Sequence, residues 1–323
     1  MSYQPLKNIS DIRKYGLTNG IQDGLVEYFD WALLDIGNYF NVTLDELSPD
    51  GFDYSRLRLG SNPNYIEGQV WEGFRKNWVW QSGIVYNPEP LVGNDDALPG
   101  ISGIYVDGDY YPSTVSGPYS HHIDYFNGRV IFDQPIPTTS KVQAEFSYKW
   151  INVVYANNVP WLREIQADTM EPTSDFYEKD KGDWNIPAEA RLQLPAIAIE
   201  VVPSRKFKGY QLGGGQWVYT DVLFHCIAED ELTRNKLIDI VSMQSDKTIG
   251  LLHINDIYEN NDYPLDYRGV PVSGALRYPD LSEKYYGGQI RFTNVTVQDM
   301  KMIGMDIFGG IVRYTTEGVK LNI

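Results

Sequence analysis

The chain has 323 residues, 42% of them hydrophobic and 22% charged, which fits one or two core-bearing domains and excludes wholesale disorder. Its 43 acidic and 27 basic residues leave a formal charge of −16, which argues against sequence-independent DNA or RNA binding and against docking on anionic membranes as its main task. No stretch approaches the roughly 18 apolar residues of a membrane span, and the N-terminus lacks the apolar core of a signal peptide, so the expected setting is a reducing cytoplasm.

Residues 1–84 are expected to form a helical and aromatic-rich segment. Leu25, Phe29, Leu33, Ile36 and Phe40 share one face of a helix running from about Ile21 to Phe40, capped by Thr18 or Asn19. Gly24 and Gly37 weaken that helix or mark its ends. Ser48–Gly51 and Gly60–Pro63 are turn clusters. The run from Val70 to Trp80 fits neither helical nor strand spacing and is read as buried or at an interface. Residues 85–156 read as an antiparallel β module, a small sandwich or barrel. Asp107–Gly108 turns one hairpin, and Asn127–Gly128 turns a second as a two-residue type I′ turn. Val142, Ala144, Phe146 and Tyr148 then alternate with polar neighbours in a strand with one wet face. Residues 157–193 form a turn-rich, charged connector with Trp161 and Trp184 at its two ends.

Residues 194–323 complete an α+β fold. Leu194–Val202 is a nearly continuous apolar strand, broken after Pro203. Ser204–Gly209 is the one local basic cluster, and Leu212–Gly215 make a flexible hairpin loop. Gln216–Ile227 form a second long strand. Asp230 caps a helix from Glu231 to about Gln244, with Leu237, Ile240 and Val241 on its buried face. Ile249–Ile257 return as a strand or short helix. Residues 258–286 form a Tyr- and Pro-rich loop whose length points to a binding or interface role. Two last strands cover Gln289–Gln298 and Asp306–Thr316.

Motifs that carry chemistry are sparse. The single cysteine, Cys226, excludes a disulfide framework and reads as a small buried hydrophobe. His121 and His122 are neighbours, so in a strand they point to opposite faces; with His225 and His253 they make no zinc-ligand spacing. Asp95–Asp96 and Asp107–Asp109 read as turn aspartates rather than calcium ligands. Gly213–Gly215 opens no helix and matches no phosphate-loop pattern. No nucleophile elbow or cysteine signature motivates an enzyme, and no cofactor is expected. The 24 Tyr, 8 Trp and 12 Phe suit interfaces and carbohydrate platforms alike.

Two segments, Phe29-Asp-Trp-Ala-Leu-Leu-Asp-Ile-Gly-Asn-Tyr-Phe-Asn-Val42 and Tyr125-Phe-Asn-Gly-Arg-Val-Ile-Phe-Asp-Gln-Pro-Ile136, resemble parts of virion structural proteins of tailed bacteriophages. Leu194–Val202, Gly209–Gly215 and the strand-then-helix from Val222 to Met243 resemble the core of a tail terminator, across residues 194–323. That family is usually much shorter, so the N-terminal helix and the β module are additions here. The resemblance implies a long-stranded α+β domain with a packed helix, and a neck subunit that forms a homo-oligomeric ring. About six copies are favoured over about twelve, following closed symmetry. It implies partners in the tail tube or sheath on one side and a head-side neck protein on the other. Genomic DNA would pass without specific binding, helped by the −16 charge, whose plainer role is solubility. No membrane is involved, and the location is the virion neck after synthesis in the host bacterial cytoplasm.

On that reading the hairpin Pro203–Trp217 reaches a neighbouring subunit or the tail tube. The expected interface residues are Arg205, Lys206, Phe207, Lys208, Tyr210, Gly213, Gly214, Gly215 and Trp217, with Tyr285 and Tyr286 at the end of the long loop. The alternatives are another virion component (head-side adaptor, baseplate or fibre-attachment subunit) and a carbohydrate-binding protein using Trp78, Trp80 or Tyr110 as sugar platforms.

Overall fold

A computed structural model describes residues 16–49, 51–81, 100–156, 167–168, 192–211, 214–304 and 307–320. Asp95–Asp96, most of the 157–193 connector with both of its tryptophans, Leu212 and Gly213 lie outside the described residues.

The chain opens with helix α1 (Leu17–Asp35). It ends before the expected Phe40 because Gly37 takes a left-handed conformation, φ +98°. The Gly37 N–H then reaches Leu34 O at 3.1 Å and the Asn38 N–H reaches Leu33 O at 3.0 Å, which satisfies two orphan carbonyls and closes the helix. Ile36 and Phe40 are accordingly exposed, and the buried face is Ile21, Leu25, Val26, Phe29, Leu33 and Leu34. Gly24 lies in the helix interior. A Cβ there would stand 3.2 Å from the Leu251 backbone, so its helix cost is offset by close packing on the sheet.

Ten short strands follow: β1 (Tyr39–Val42), β2 (Arg58–Leu59), β3 (Val70–Glu72), β4 (Gly103–Val106), β5 (Asp109–Pro112), β6 (His121–Asp124), β7 (Arg129–Phe132), β8 (Val142–Gln143), β9 (Phe146–Lys149) and β10 (Asn152–Tyr155). The first nine form small sheets ordered β2-β3-β7-β6, β5-β4-β8 and β1-β9. They enclose one core built from Val42, Phe52, Trp71, Phe74, Trp78, Ile104, Val130, Phe132 and Phe146, with Trp78 stacked on Phe146 at 4.3 Å between centroids. The Val70–Trp80 run is therefore buried for the most part, and its irregular spacing follows from loop residues that turn inward between short strands.

The β4–β5 hairpin closes through Asp107 and Gly108, both at positive φ, as a primed two-residue turn requires. The β6–β7 hairpin does not use a two-residue turn. Its last pair is Asp124 with Arg129, which leaves a four-residue loop. Tyr125 is drawn into the core, where its hydroxyl accepts the Ile101 N–H at 2.6 Å. Asp124 holds the opened loop by accepting from Asn127 Nδ2 at 2.7 Å and Arg129 Nε at 2.9 Å. The strand expected over 142–148 is divided into β8 and β9, because the Ala144 N–H turns aside to Ser55 O at 3.0 Å.

The remaining elements are β11 (Ala167–Asp168), β12 (Leu192–Gln193), β13 (Ala196–Gln211), β14 (Gly214–Ala228), α2 (Glu231–Ser242), β15 (Thr248–Leu252), α3 (Ile254–Glu259), α4 (Tyr278–Lys284), β16 (Tyr286–Gly304) and β17 (Ile307–Lys320). The large sheet runs β10-β13-β14-β17-β16-β15, antiparallel except for the β10–β13 pair. Helices α1 and α2 cover one face, over a core that includes Phe29, Phe224, Leu237, Val241, Phe292 and Tyr314. Asp230 caps α2 by accepting the Thr233 N–H at 2.8 Å, as its sequence predicts. The Tyr314 hydroxyl is spent on the far end of α2, 2.9 Å from Val241 O. The fold is thus mixed α+β, dominated by strands, with four helices among the described residues.

The strand break expected after Pro203 does not occur. β13 continues to Gln211, with a register shift between Val201 and Arg205. β10 pairs with β13 only from Ala196 to Ile199, so Pro203 sits on an edge, where a bulge and a missing N–H are tolerated.

A buried polar seam joins the two cores. Arg75 is 1% exposed and donates to Leu194 O and Trp150 O, both at 3.0 Å. Gln193 accepts the Lys76 N–H at 2.7 Å and donates to Phe74 O at 3.1 Å. The Asn38 amide exchanges two hydrogen bonds with the Ile151 backbone, at 2.8 and 2.7 Å.

Candidate assembly surface

The outer half of the β13–β14 hairpin forms an arm at one end of the large sheet, with β17 paired along its Gln216–Thr220 strand. Its register pairs Arg205 with Thr220, Lys206 with Tyr219, Phe207 with Val218, Lys208 with Trp217 and Gln211 with Gly214. Val218 and Thr220 are in phase with the core residues Val222 and Phe224, so they and their partners Phe207 and Arg205 face the helix side. Lys206, Lys208, Tyr210, Trp217 and Tyr219 face the opposite side. There the Tyr210 and Trp217 rings meet at 5.5 Å, and Lys208 Nζ stands 5.2 Å from the Tyr219 centroid.

The β13 strand of this arm is open to solvent, whereas Val218 and Thr220 on β14 are buried. Phe207 is 51% exposed and Tyr210 42%. A Cβ added to Gly209 would meet no atom within 4 Å. The outer edge of β13 beyond Ile199 pairs with no strand among the described residues. From Pro203 to Thr220 the sequence holds three cations and no carboxylate. Gly214 begins β14, and Gly215 has φ +80°, a left-handed turn conformation that favours glycine at the tip.

Tyr285 and Tyr286 are placed apart from each other and from the arm. Tyr285 is 9% exposed, packed with Leu252, Ile257 and Leu281, and its hydroxyl donates to the Asp262 carboxylate. That acceptor holds its phenol above the ordinary value. Tyr286 is exposed at the start of β16. It shares the arm's end of the sheet but lies three strands across, about 14 Å at ordinary strand spacing. The structure therefore brings Lys206, Lys208, Tyr210 and Trp217 onto one face of the arm and Arg205 and Phe207 onto the other, with Tyr286 beyond it and Tyr285 inside a small core of its own.

The long loop beyond α3 crosses to the β module. Gly269 O accepts the Tyr125 N–H at 3.2 Å, and the φ +79° Gly269 backbone lies so close to Asp124 that a Cβ would clash with its carboxylate. Tyr267 is left fully in solvent. Of the aromatic residues considered as sugar platforms, Trp78 is 1% exposed, with its ring against Phe146, and offers no open face. Trp80 is half-buried, and Tyr110 is exposed beside Tyr105.

His121, His225 and Cys226 are titratable groups of the interior. His121 is buried beside Phe132 with Nδ1 2.9 Å from Tyr119 O, and burial holds its pKa below the ordinary value. His225 pairs with Glu200 at 2.9 Å. Burial pushes the Cys226 thiol up to about 12, which keeps it protonated and unreactive. Among the described residues no group of three His, Cys, Asp or Glu side chains stands close enough to hold a metal ion, and no helix is long and apolar enough to cross a membrane.

Sequence reasoning missed one surface. Asp23, Glu27 and Asp30 follow one another on α1 at i, i+4 and i+7, a spacing visible in the sequence that places three carboxylates on one helix face. No protein-family model matches the chain, and no curated protein matches it in sequence.

Proposed function

We propose that the protein is a structural subunit of a tailed-phage neck, forming a homo-oligomeric ring that caps the tail and joins it to the head-side connector. The carrying observation is the arm: the outer half of the β13–β14 hairpin, whose 203–220 segment holds three cations and no carboxylate, with Lys206, Lys208, Phe207 and Tyr210 exposed along a β13 edge unpaired among the described residues, on a chain of net charge −16. Such a surface suits a partner that is acidic and partly apolar. The segments Phe29–Val42, Tyr125–Ile136 and 194–243 add the virion resemblance. In this role the tail tube or sheath lies on one side of the ring and a head-side neck protein on the other, with DNA passing through without specific binding. The protein acts without catalysis or a cofactor, and its place is the virion.

The test is the mass of the purified protein by light scattering, with negative-stain imaging, alone and with tails that lack it. A closed ring of about six copies supports the reading, whereas about twelve points to a head-side adaptor, as the tail-terminator resemblance implies. A chain that stays monomeric and does not bind tails overturns it.

A further inference from the structure

The acidic face of α1 is half-buried and only partly matched. Asp30 pairs with Lys149 at 2.6 Å. Asp23 shares a hydrogen bond with Tyr155. Glu27, half-buried between them, meets no hydrogen-bond donor among the described residues, where Lys149 is the one cation acting on it. Tyr155 and Tyr258 flank these carboxylates and are 42% and 55% exposed, with Tyr263 stacked on Tyr258 at 4.9 Å. The patch thus carries three carboxylates against one lysine, framed by open phenol rings.

The arm is its complement. Lys206 and Lys208 share one face, about 6.6 Å apart along the strand, while Asp23 and Glu27 stand about 6 Å apart along the helix. Aromatic rings accompany both sets, so each cation could meet a carboxylate and a ring face together. The two surfaces do not touch within the subunit.

We propose that the arm of one subunit docks on the Asp23–Glu27 face of a second copy, with Lys206 and Lys208 meeting the two carboxylates and Tyr155 and Tyr258 receiving the arm's aromatic side chains. The inference rests on the ring reading and assigns its contact. Because the two patches differ, the contact is heterologous, and its repetition closes a ring or grows a filament. The state of Glu27 agrees with a missing cation: burial and the neighbouring Asp30, with Asp23 adding to them and Lys149 opposing, push its carboxyl up to about 7. Tyr155, Tyr258, Tyr263 and Tyr278 are the other titratable groups around it among the described residues. A docked lysine favours the carboxylate, so association strengthens as pH rises from 6 to 8.

The experiment uses the full chain, with light scattering for mass and a zero-length carbodiimide crosslink read by mass spectrometry. Lys206→Glu with Lys208→Glu, both on the exposed arm, is expected to weaken association at least tenfold. Asp23→Asn with Glu27→Gln is expected to do the same while melting no lower than the wild type, an opposition of sign that a purely structural role would not produce. Crosslinks in the wild type should join Lys206 or Lys208 to Asp23 or Glu27 of another copy. If rings persist in both variants, or the crosslinks map elsewhere, this contact is wrong and the ring reading stands. A wild type that is monomeric at every concentration and pH overturns this contact, and one that also fails to bind tails overturns the ring reading. Binding of a single-stranded oligonucleotide that is lost with the arm charges, at unchanged mass, makes nucleic acid the arm's occupant and overturns the proposal.

Discussion

Leu237 and Glu27 show how differently single side chains hold this molecule. Leu237 is 1% exposed between α2 and the sheet. Leu237→Ala should cost about 2–5 kcal/mol, through lost transfer energy and the cavity left behind. Urea unfolding monitored by circular dichroism checks this, and a loss well under about 1 kcal/mol would mean that the helix does not press there. Glu27 works in the other direction. Its folded-state pKa of about 7 lies above its ordinary 4.5, so the native state binds more protons between those values. Its contribution is therefore most favourable below pH 4.5 and is progressively lost as pH rises to 7. Glu27→Gln should raise the melting temperature at pH 8, with the gain shrinking toward pH 5; equal gains at both pH values would place Glu27 in solvent. Leu237 was legible in the sequence, because helical spacing names the core face. The environment of Glu27 was not, because Tyr155, Tyr258 and Lys149 come from distant parts of the chain.

Elements were legible where their chemistry is local. The Asp107–Gly108 turn and the Asp230 cap depend on neighbours within three residues and appear where the sequence places them. The Asn127–Gly128 turn was misread because a tertiary event, burial of Tyr125, opens the loop. β13 runs on past Pro203 because that position has become a sheet edge, a fact decided by the short reach of β10. The arm itself was read from its basic residues and glycines, and its two faces followed only once the register was known. Removing 209–215 with a short turn in their place should leave melting unchanged, since Gly209 and Tyr210 are exposed and contribute nothing to the core. The same deletion should abolish the oligomer seen by light scattering; intact assembly would detach the arm from that role.

At the scale of the whole molecule, the two cores are held by a polar seam. Arg75 donates to a backbone carbonyl on each of two segments that flank the joint, and its guanidinium lies 5.4 Å from the Tyr148 ring centroid. Arg75→Met keeps much of the volume but strands the buried Leu194 carbonyl, at about 1–3 kcal/mol, and the part-buried Trp150 carbonyl at less. Scanning calorimetry should then resolve two unfolding transitions where the wild type shows one, and a single transition in the variant would show that the remaining contacts suffice to couple the halves. The sequence offered no sign of this seam, since Arg75, Trp150 and Leu194 stand far apart along the chain. The long strands carry one further consequence. β14 and β17 are aligned over thirteen consecutive pairs, and the arm's Gln216–Thr220 strand is the outer end of that same ladder. A force applied at the arm's tip along the strands would load those hydrogen bonds together in shear, since they lie perpendicular to the pull, instead of peeling them one at a time. The sheet is thus oriented as a tension member: whatever grips the arm is anchored through the full length of the ladder to the two helices beneath it.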